Sequence, residues 1–294
     1  MRPTRAAYLG FLTWWKYGST RPESVTPPGA PSPVHLDPND RRALKKLVHA
    51  SARNRLSVPI RFWRSMVASL QPDLALDIGA NYGECFAGAT YPQRTRILAL
   101  EANPGLIPYL EKTRRAHPSA ERMKVIHCLV GDQPAPPRPF FFDPEWTGMG
   151  SALEPADAQK RHQILVAVDS VDEILRREFG PVAGRTLLLK MDVEGYEGMV
   201  LRGFGTLEAF REVAGIMEFD TLWLGRAGTP AREVFERLAS LGRVFDTIRH
   251  QPLLKPVRNW SDLAASHGDG DFHTDLVFVS RETALPSGWQ VTAH

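Results

Sequence analysis

The chain has 294 residues, 43% hydrophobic and 23% charged, the proportions of a soluble globular protein rather than a disordered chain, a rod or a multi-span membrane protein. Two cysteines, Cys85 and Cys128, exclude a disulfide-dense scaffold and a four-cysteine zinc site, and they predict a reducing compartment. The net charge of +3 is uneven: residues 1–70 carry 12 Lys and Arg against 3 Asp and Glu, whereas residues 71–294 carry 24 against 30.

Residues 6–15 form an apolar run after Arg2 and Arg5, half the length needed to cross a bilayer and lacking a small-x-small cleavage site. Two readings stay open: packing of its aromatics on the main domain, or docking at a membrane interface through Phe11, Trp14, Trp15 and Lys16. The excess of basic residues is either a solvated arm or a surface for phosphates, anionic lipid or an acidic partner. Six prolines within residues 22–38 predict an unpacked linker of polyproline character. Asp37 or Asp40 caps a helix through Ala50, and a second helix is expected over Pro59–Leu70. From residue 73 strands and helices alternate: strands at 74–78 and 96–101, a helix over 82–89, a helix opened by Asn103 and Pro104, and a strand over 124–130. Residues 133–157 read as a loop or hairpin insertion rich in proline and glycine. Further strands are expected at 162–168, 186–192, 213–219, 243–248 and 274–279, with helices at 169–179 and 231–241. Continuous apolar strands separated by helices imply a mostly parallel sheet covered on both faces.

Three features carry chemistry. The first βα turn, Asp77-Ile78-Gly79-Ala80-Asn81-Tyr82-Gly83, lets a ligand approach the backbone closely, and its G-x-x-x-G spacing differs from the dinucleotide pattern. The next strand ends at Glu101, an acid placed to accept both hydroxyls of a ribose. Together they point to an adenosine-bearing ligand. In the third, Leu189-Lys190-Met191-Asp192-Val193-Glu194-Gly195-Tyr196-Glu197, Lys190 and Asp192 share one strand face. A buried lysine needs a carboxylate partner, and Asp77 on a neighbouring strand can supply it. Asp192 and Glu194 then leave the carboxyl end of the strand, where α/β sheets bind ligands.

These motifs, with Glu101-Ala102-Asn103-Pro104 and Val200-Leu201-Arg202-Gly203, resemble the FkbM-type methyltransferase family over roughly residues 73–220, with a weaker echo at Thr274–Phe278. The resemblance implies a Rossmann-like class I methyltransferase fold, an α/β architecture with a seven-stranded mostly parallel sheet and an antiparallel last strand; residues 1–70 lie outside it, and their patterning adds an N-terminal helical extension. It implies S-adenosylmethionine as methyl donor and O-methylation of a sugar or secondary metabolite, so the partner is a small hydroxylated or glycosidic acceptor. Carried over by position, Gly79, Asn81 and Gly83 pass the methionine end of the cofactor, Asp77 is counted with the cofactor-binding residues, Glu101 holds the ribose, and Val130 and Asp132 flank adenine. Asp192 and Glu194 face the transfer site.

An alcohol acceptor needs a base, and the candidates are Asp192, Glu194, Glu218 and His273, with His250 a weaker one. Helix-dipole stabilisation accounts equally well for Glu194 and Glu197. Asp192, Glu194 and Glu218 are able to converge on a divalent cation, but the same carboxylates serve without one, and no metal is expected. Trp146, Met149 and Trp260, in lining loops placed at 143–157 and 250–273, either stack on the acceptor or pack their loops. The expected division is an arm and linker over 1–38, helices over 39–72 and the catalytic domain over 73–294, in the cytoplasm. Two other readings remain: a nucleic-acid methyltransferase, against which stands the missing Asn/Asp-Pro-Pro-aromatic tetrapeptide at 192–195, and a non-catalytic cofactor-binding module with a membrane- or partner-docking N-terminus.

Overall fold

The structure, a computed structural model, describes residues 4–155, 157–248, 251–268 and 270–292. In chain order the elements are α1 (Arg5–Tyr17), β1 (Ser24–Val25), β2 (Val34–His35), α2 (Arg41–Ala43), a π-helical turn (Leu44–Val48), α3 (His49–Ala52), α4 (Val58–Leu70), β3 (Leu74–Ile78), β4 (Arg96–Glu101), α5 (Ile107–Arg115), β5 (Met123–His127) and β6 (Leu129–Gly131). There follow β7 (Ala135–Asp143), β8 (Trp146–Ser151), β9 (His162–Ser170), α6 (Val171–Glu178), β10 (Thr186–Met191), α7 (Glu197–Arg202), β11 (Glu212–Asp220), α8 (Thr221–Arg226), α9 (Ala231–Leu241), β12 (Gly242–Thr247), β13 (Leu253–Val257), α10 (Trp260–His267), β14 (His273–Ser280) and β15 (Gln290–Val291).

The main sheet runs β15-β13-β12-β14-β11-β10-β3-β4-β5. Seven of its strands form the expected arrangement. β5, β4, β3, β10 and β11 are parallel, and β14 runs antiparallel between β11 and β12. β13 and β15 extend it beyond seven strands. Its side chains alternate between two cores: Ala75 and Leu188 face the N-terminal helices and α5, whereas Leu74, Leu76, Leu187 and Leu189 face α6, α7 and α9. Lys190 and Asp77 follow the first parity, so they lie beneath the N-terminal helical segment.

Four expectations need correction. The 22–38 stretch is packed: β1 and β2 form an antiparallel ribbon, and Val25, Val34 and Leu36 are buried in the same core as α4. Proline removes backbone donors but does not prevent short edge strands. Residues 82–89 are not an α-helix but turns and a 3₁₀ segment at Phe86–Gly88, because Asn81 and Gly83 hold positive φ angles of 51° and 83°. Asn103 does not open a helix directly; its Oδ1 accepts from Gly105 N at 3.0 Å, a local turn that delays α5 to Ile107. The expected 124–130 strand splits at Cys128, and β6 leaves to join a second sheet ordered β6-β9-β7-β8. The expected insertion is the β7–β8 hairpin of that sheet, whose register slips at the proline-rich start of β7. No helix among the described residues is long and apolar enough to cross a membrane.

Candidate active site

The carboxyl ends of β3, β4, β10 and β11 and the start of β14 surround a cavity of about 530 Å³. At its floor the chain leaves β3 through Gly79, at φ +73°, so close to β10 that an added Cβ would lie 1.9 Å from the Asp192 carbonyl oxygen. Only glycine fits there. Asn81 also takes a left-handed conformation, supported by its own Oδ1 accepting from Tyr82 N at 3.0 Å. Glu101, 7% exposed, ends β4. Its Oε2 accepts from Asn81 N and its Oε1 from Asn103 N, both at 2.8 Å. Burial raises the affinity of this carboxyl for protons, and the two N–H donors oppose that shift. A carboxylate has about four acceptor positions, so two remain for a ligand.

Lys190 lies across from Asp77 in the β10–β3 register. Its Nζ donates to the Gly79 carbonyl at 2.5 Å and sits 3.6 Å from Asp77 and 3.5 Å from Asp192. Burial works against the ammonium, but Asp192 and Asp77 outweigh it, and the lysine stays charged. It thereby ties together the ends of β3 and β10 beneath the glycine turn. The partnership with Asp77 expected from the strand pattern is present.

Asp192, Glu194 and Glu218 present carboxylate oxygens within 4.8 Å of one another on the opposite wall. Burial pushes Asp192 up, but Lys190 and Arg42 outweigh it and hold this carboxyl below its usual range. The neighbouring Glu218 carboxyl also favours the charged form of Asp192. Glu218 and Glu194 are both driven well above the usual range, by burial first and by the Asp192 charge next. Like charges this close cannot all ionise together, so Asp192 ionises first and Glu194 and Glu218 hold their protons to higher pH. Glu194 holds a φ of +50°, and its carbonyl accepts from Ser151 Oγ of the hairpin at 2.9 Å. His273 opens β14 beside this group, with Nε2 3.7 Å from Glu218 and Nδ1 3.4 Å from Asp220. Glu197 stands apart: fully buried, it accepts from Val193 N at 2.9 Å and holds the post-β10 loop.

The N-terminal segment supplies part of the site. Arg42 Nη1 donates to Glu84 Oε1 at 2.6 Å and to Asn81 Oδ1 at 3.0 Å. Asp40 caps α2 through Arg42 N and accepts from Thr147 Oγ1 of the hairpin at 2.6 Å. Lys46, Leu47, Pro59 and Ile60 complete the wall. Sequence reasoning missed these residues because their only local signal is a capped, basic helix start, and a helix cap does not say which distant turn its neighbour reaches.

The cavity brings together Asp77, Gly79, Asn81, Glu101, Val130, Asp192, Glu194, Glu218 and His273, with Trp146 and Met149. It does not include Gly83, which turns against the Phe86 ring, or Asp132, which lies past the end of β6 where that strand joins β9. Trp260 packs against Phe219, Phe235 and Phe272 inside the fold, so it is not a stacking platform for a ligand. The expected 250–273 loop contains β13 and α10. His250 lies outside the described residues.

This topology, with a ligand cavity at the carboxyl ends of its central strands, defines a protein of the class I methyltransferase fold. The chain belongs to the FkbM methyltransferase family: the model of the methyltransferase FkbM domain matches residues 77–245. No curated protein matches the chain. Among solved structures it is similar to an FkbM methyltransferase from Methylobacillus flagellatus, with 16% identity over 83% of this chain and 55% of that one and a TM-score of 0.42. The chain thus spans little more than half the length of that relative. It is also similar to the O-methyltransferase TomG from Streptomyces achromogenes, in complex with S-adenosylmethionine (13% identity, 76% and 81% of the two chains, TM-score 0.39). A third is an O-methyltransferase from Bacillus cereus in complex with S-adenosylhomocysteine (12% identity, 75% and 80%, TM-score 0.37).

Proposed function

We propose that the protein is an S-adenosylmethionine-dependent methyltransferase that methylates a hydroxyl of a small polyhydroxylated acceptor, a sugar or a hydroxylated metabolite. The observation that carries this reading is the pairing, across one cavity, of the buried Glu101 carboxylate with the Asp192, Glu194 and Glu218 group. The donor set suits the cofactor. Glu101 keeps two acceptor positions for the ribose hydroxyls, Val130 and Leu129 give an apolar wall for adenine, and the glycine turn leaves room for the methionine end. When bound, the cofactor supplies a methyl group on a sulfonium centre.

The chain's own residues then have three tasks. Trp146 and Met149 cover the acceptor side of the cavity and exclude water from an aligned hydroxyl. Protonated Glu194 and Glu218 donate to acceptor oxygens and fix which hydroxyl faces the methyl group. Asp192, the ionised member, takes the hydroxyl proton as the new carbon–oxygen bond forms. Glu218 lies between Asp192 and His273, so the proton has a route outward: Glu218 passes its own proton to His273 and takes up that of Asp192.

An assay of S-adenosylhomocysteine release against sugars and hydroxylated metabolites tests this. Asp192→Asn should lower kcat by about 100-fold or more, with product affinity within a few-fold of wild type. Undiminished turnover in that variant would remove Asp192 as the base.

A further inference from the structure

Helix α1 is amphipathic in the wrong sense for a helix seeking only to bury itself. Its inward face offers Thr13, fully buried, and Tyr17, which packs on the N-terminal core. Lys16 Nζ donates to the Ser51 carbonyl at 2.6 Å and so anchors the helix on α3. The outward face carries the large apolar rings: Tyr8 is 51% exposed, Phe11 57%, Trp14 52% and Trp15 75%. Positions 8, 11 and 15 recur at helical spacing on one stripe, with Trp14 beside them. Phe11 stacks on Trp15 at 6.3 Å and meets Trp14 at 6.4 Å, so the rings form one patch. Four aromatics on a solvent face mark an interaction surface rather than scattered exposure.

Charge identifies the partner. Residues 1–22 contain no Asp or Glu, and residues 1–70 carry 12 basic against 3 acidic residues, while the rest of the chain is net acidic. Arg21 and Arg55, both exposed, follow the C-terminal ends of α1 and α3. A second copy would set like charges against each other. The patch is a convex helix face, with amphipathic Trp and Tyr rings that suit the headgroup level of a bilayer. We infer that α1 docks the protein on an anionic lipid surface, the rings entering the interface and the flanking cations meeting lipid headgroups.

Flotation of the full chain with phosphatidylcholine vesicles containing about 30% phosphatidylglycerol, against pure phosphatidylcholine, tests this. The protein should partition at least about tenfold more strongly onto the anionic vesicles, with a blue shift of tryptophan fluorescence and weakening at high salt. The triple variant Phe11→Ser, Trp14→Ser, Trp15→Ser should lose about tenfold or more of that binding while keeping its unfolding midpoint. Absence of wild-type binding to anionic vesicles, or undiminished binding by the variant, would overturn the inference. So would a dimer in sedimentation equilibrium that the variant abolishes, with no vesicle binding.

Discussion

At the residue scale, Asp192, Glu194 and Glu218 act as one titrating unit because their oxygens crowd within 4.8 Å and Lys190 neutralises only one of them. Asp192, the base, is held below its usual range, whereas Glu194 and Glu218 act as donors and are pushed up, so kcat should fall as pH rises through the range in which those two lose their protons. Glu194→Gln keeps a neutral side chain at 194 but removes the carboxyl whose ionisation opposes that of Glu218, so Glu218 should then lose its proton more easily. The falling limb should move to lower pH by about one unit, read from the pH profile of kcat; an unmoved limb would show that the three do not titrate together. The acids themselves were legible in the sequence, because a charged pair at i and i+2 in an apolar strand has to face one side. Their convergence with Glu218 was legible from strand ends alone. Asp132 was not: nothing local in Leu129-Val130-Gly131 reveals that the strand leaves one sheet for another.

At the scale of elements, the glycine turn is held from outside by α2 and the β7–β8 hairpin. Arg42 and Glu84 form a largely buried pair, their side chains 20% and 13% exposed, and Arg42 also bonds Asn81 in the turn. Arg42→Met should leave the Glu84 charge buried without a partner and loosen the turn. Its affinity for S-adenosylhomocysteine should fall several-fold. Stability should fall by roughly 1–3 kcal/mol, most of it recovered when Glu84→Gln is added. Calorimetry on the single and double variants checks both, and unchanged ligand affinity in Arg42→Met would separate the helix from the site. Within the main sheet β3, β4, β10, β11, β12 and β14 could be read in the sequence almost to the residue, since buried strands are unbroken apolar runs, whereas β13 and β15 leave no such run and the expected 124–130 strand runs past the end of β5. The turn after Gly83 and the delayed start of α5 could not, because single left-handed residues and an Asn turn override helical patterning.

At the scale of the whole molecule, the chain from Ser24 onward is one packed body. Val25, Val34 and Leu36 are essentially fully buried, and the His35 N–H donates to Thr113 Oγ1 at 2.9 Å. Removing residues 1–38 should therefore destabilise the fold by roughly 5 kcal/mol, at about 1.5–3 kcal/mol per buried side chain, and lower the unfolding midpoint by about 10 °C. Removal of residues 1–20 should cost much less; equal midpoints for the two truncations would contradict this packing. The proline-rich composition concealed it, because burial of a few apolar residues between prolines leaves no periodicity to read.

In the proposed function, Glu101 and the glycine turn hold the adenosyl part of a methyl donor. Titration calorimetry of the wild-type protein and Glu101→Gln with S-adenosylmethionine, S-adenosylhomocysteine and NAD tests it most directly. The wild type should bind both adenosyl compounds and not NAD, and Glu101→Gln should lose about 10- to 100-fold in affinity. Binding of NAD, or unchanged adenosyl affinity in the variant, would contradict it.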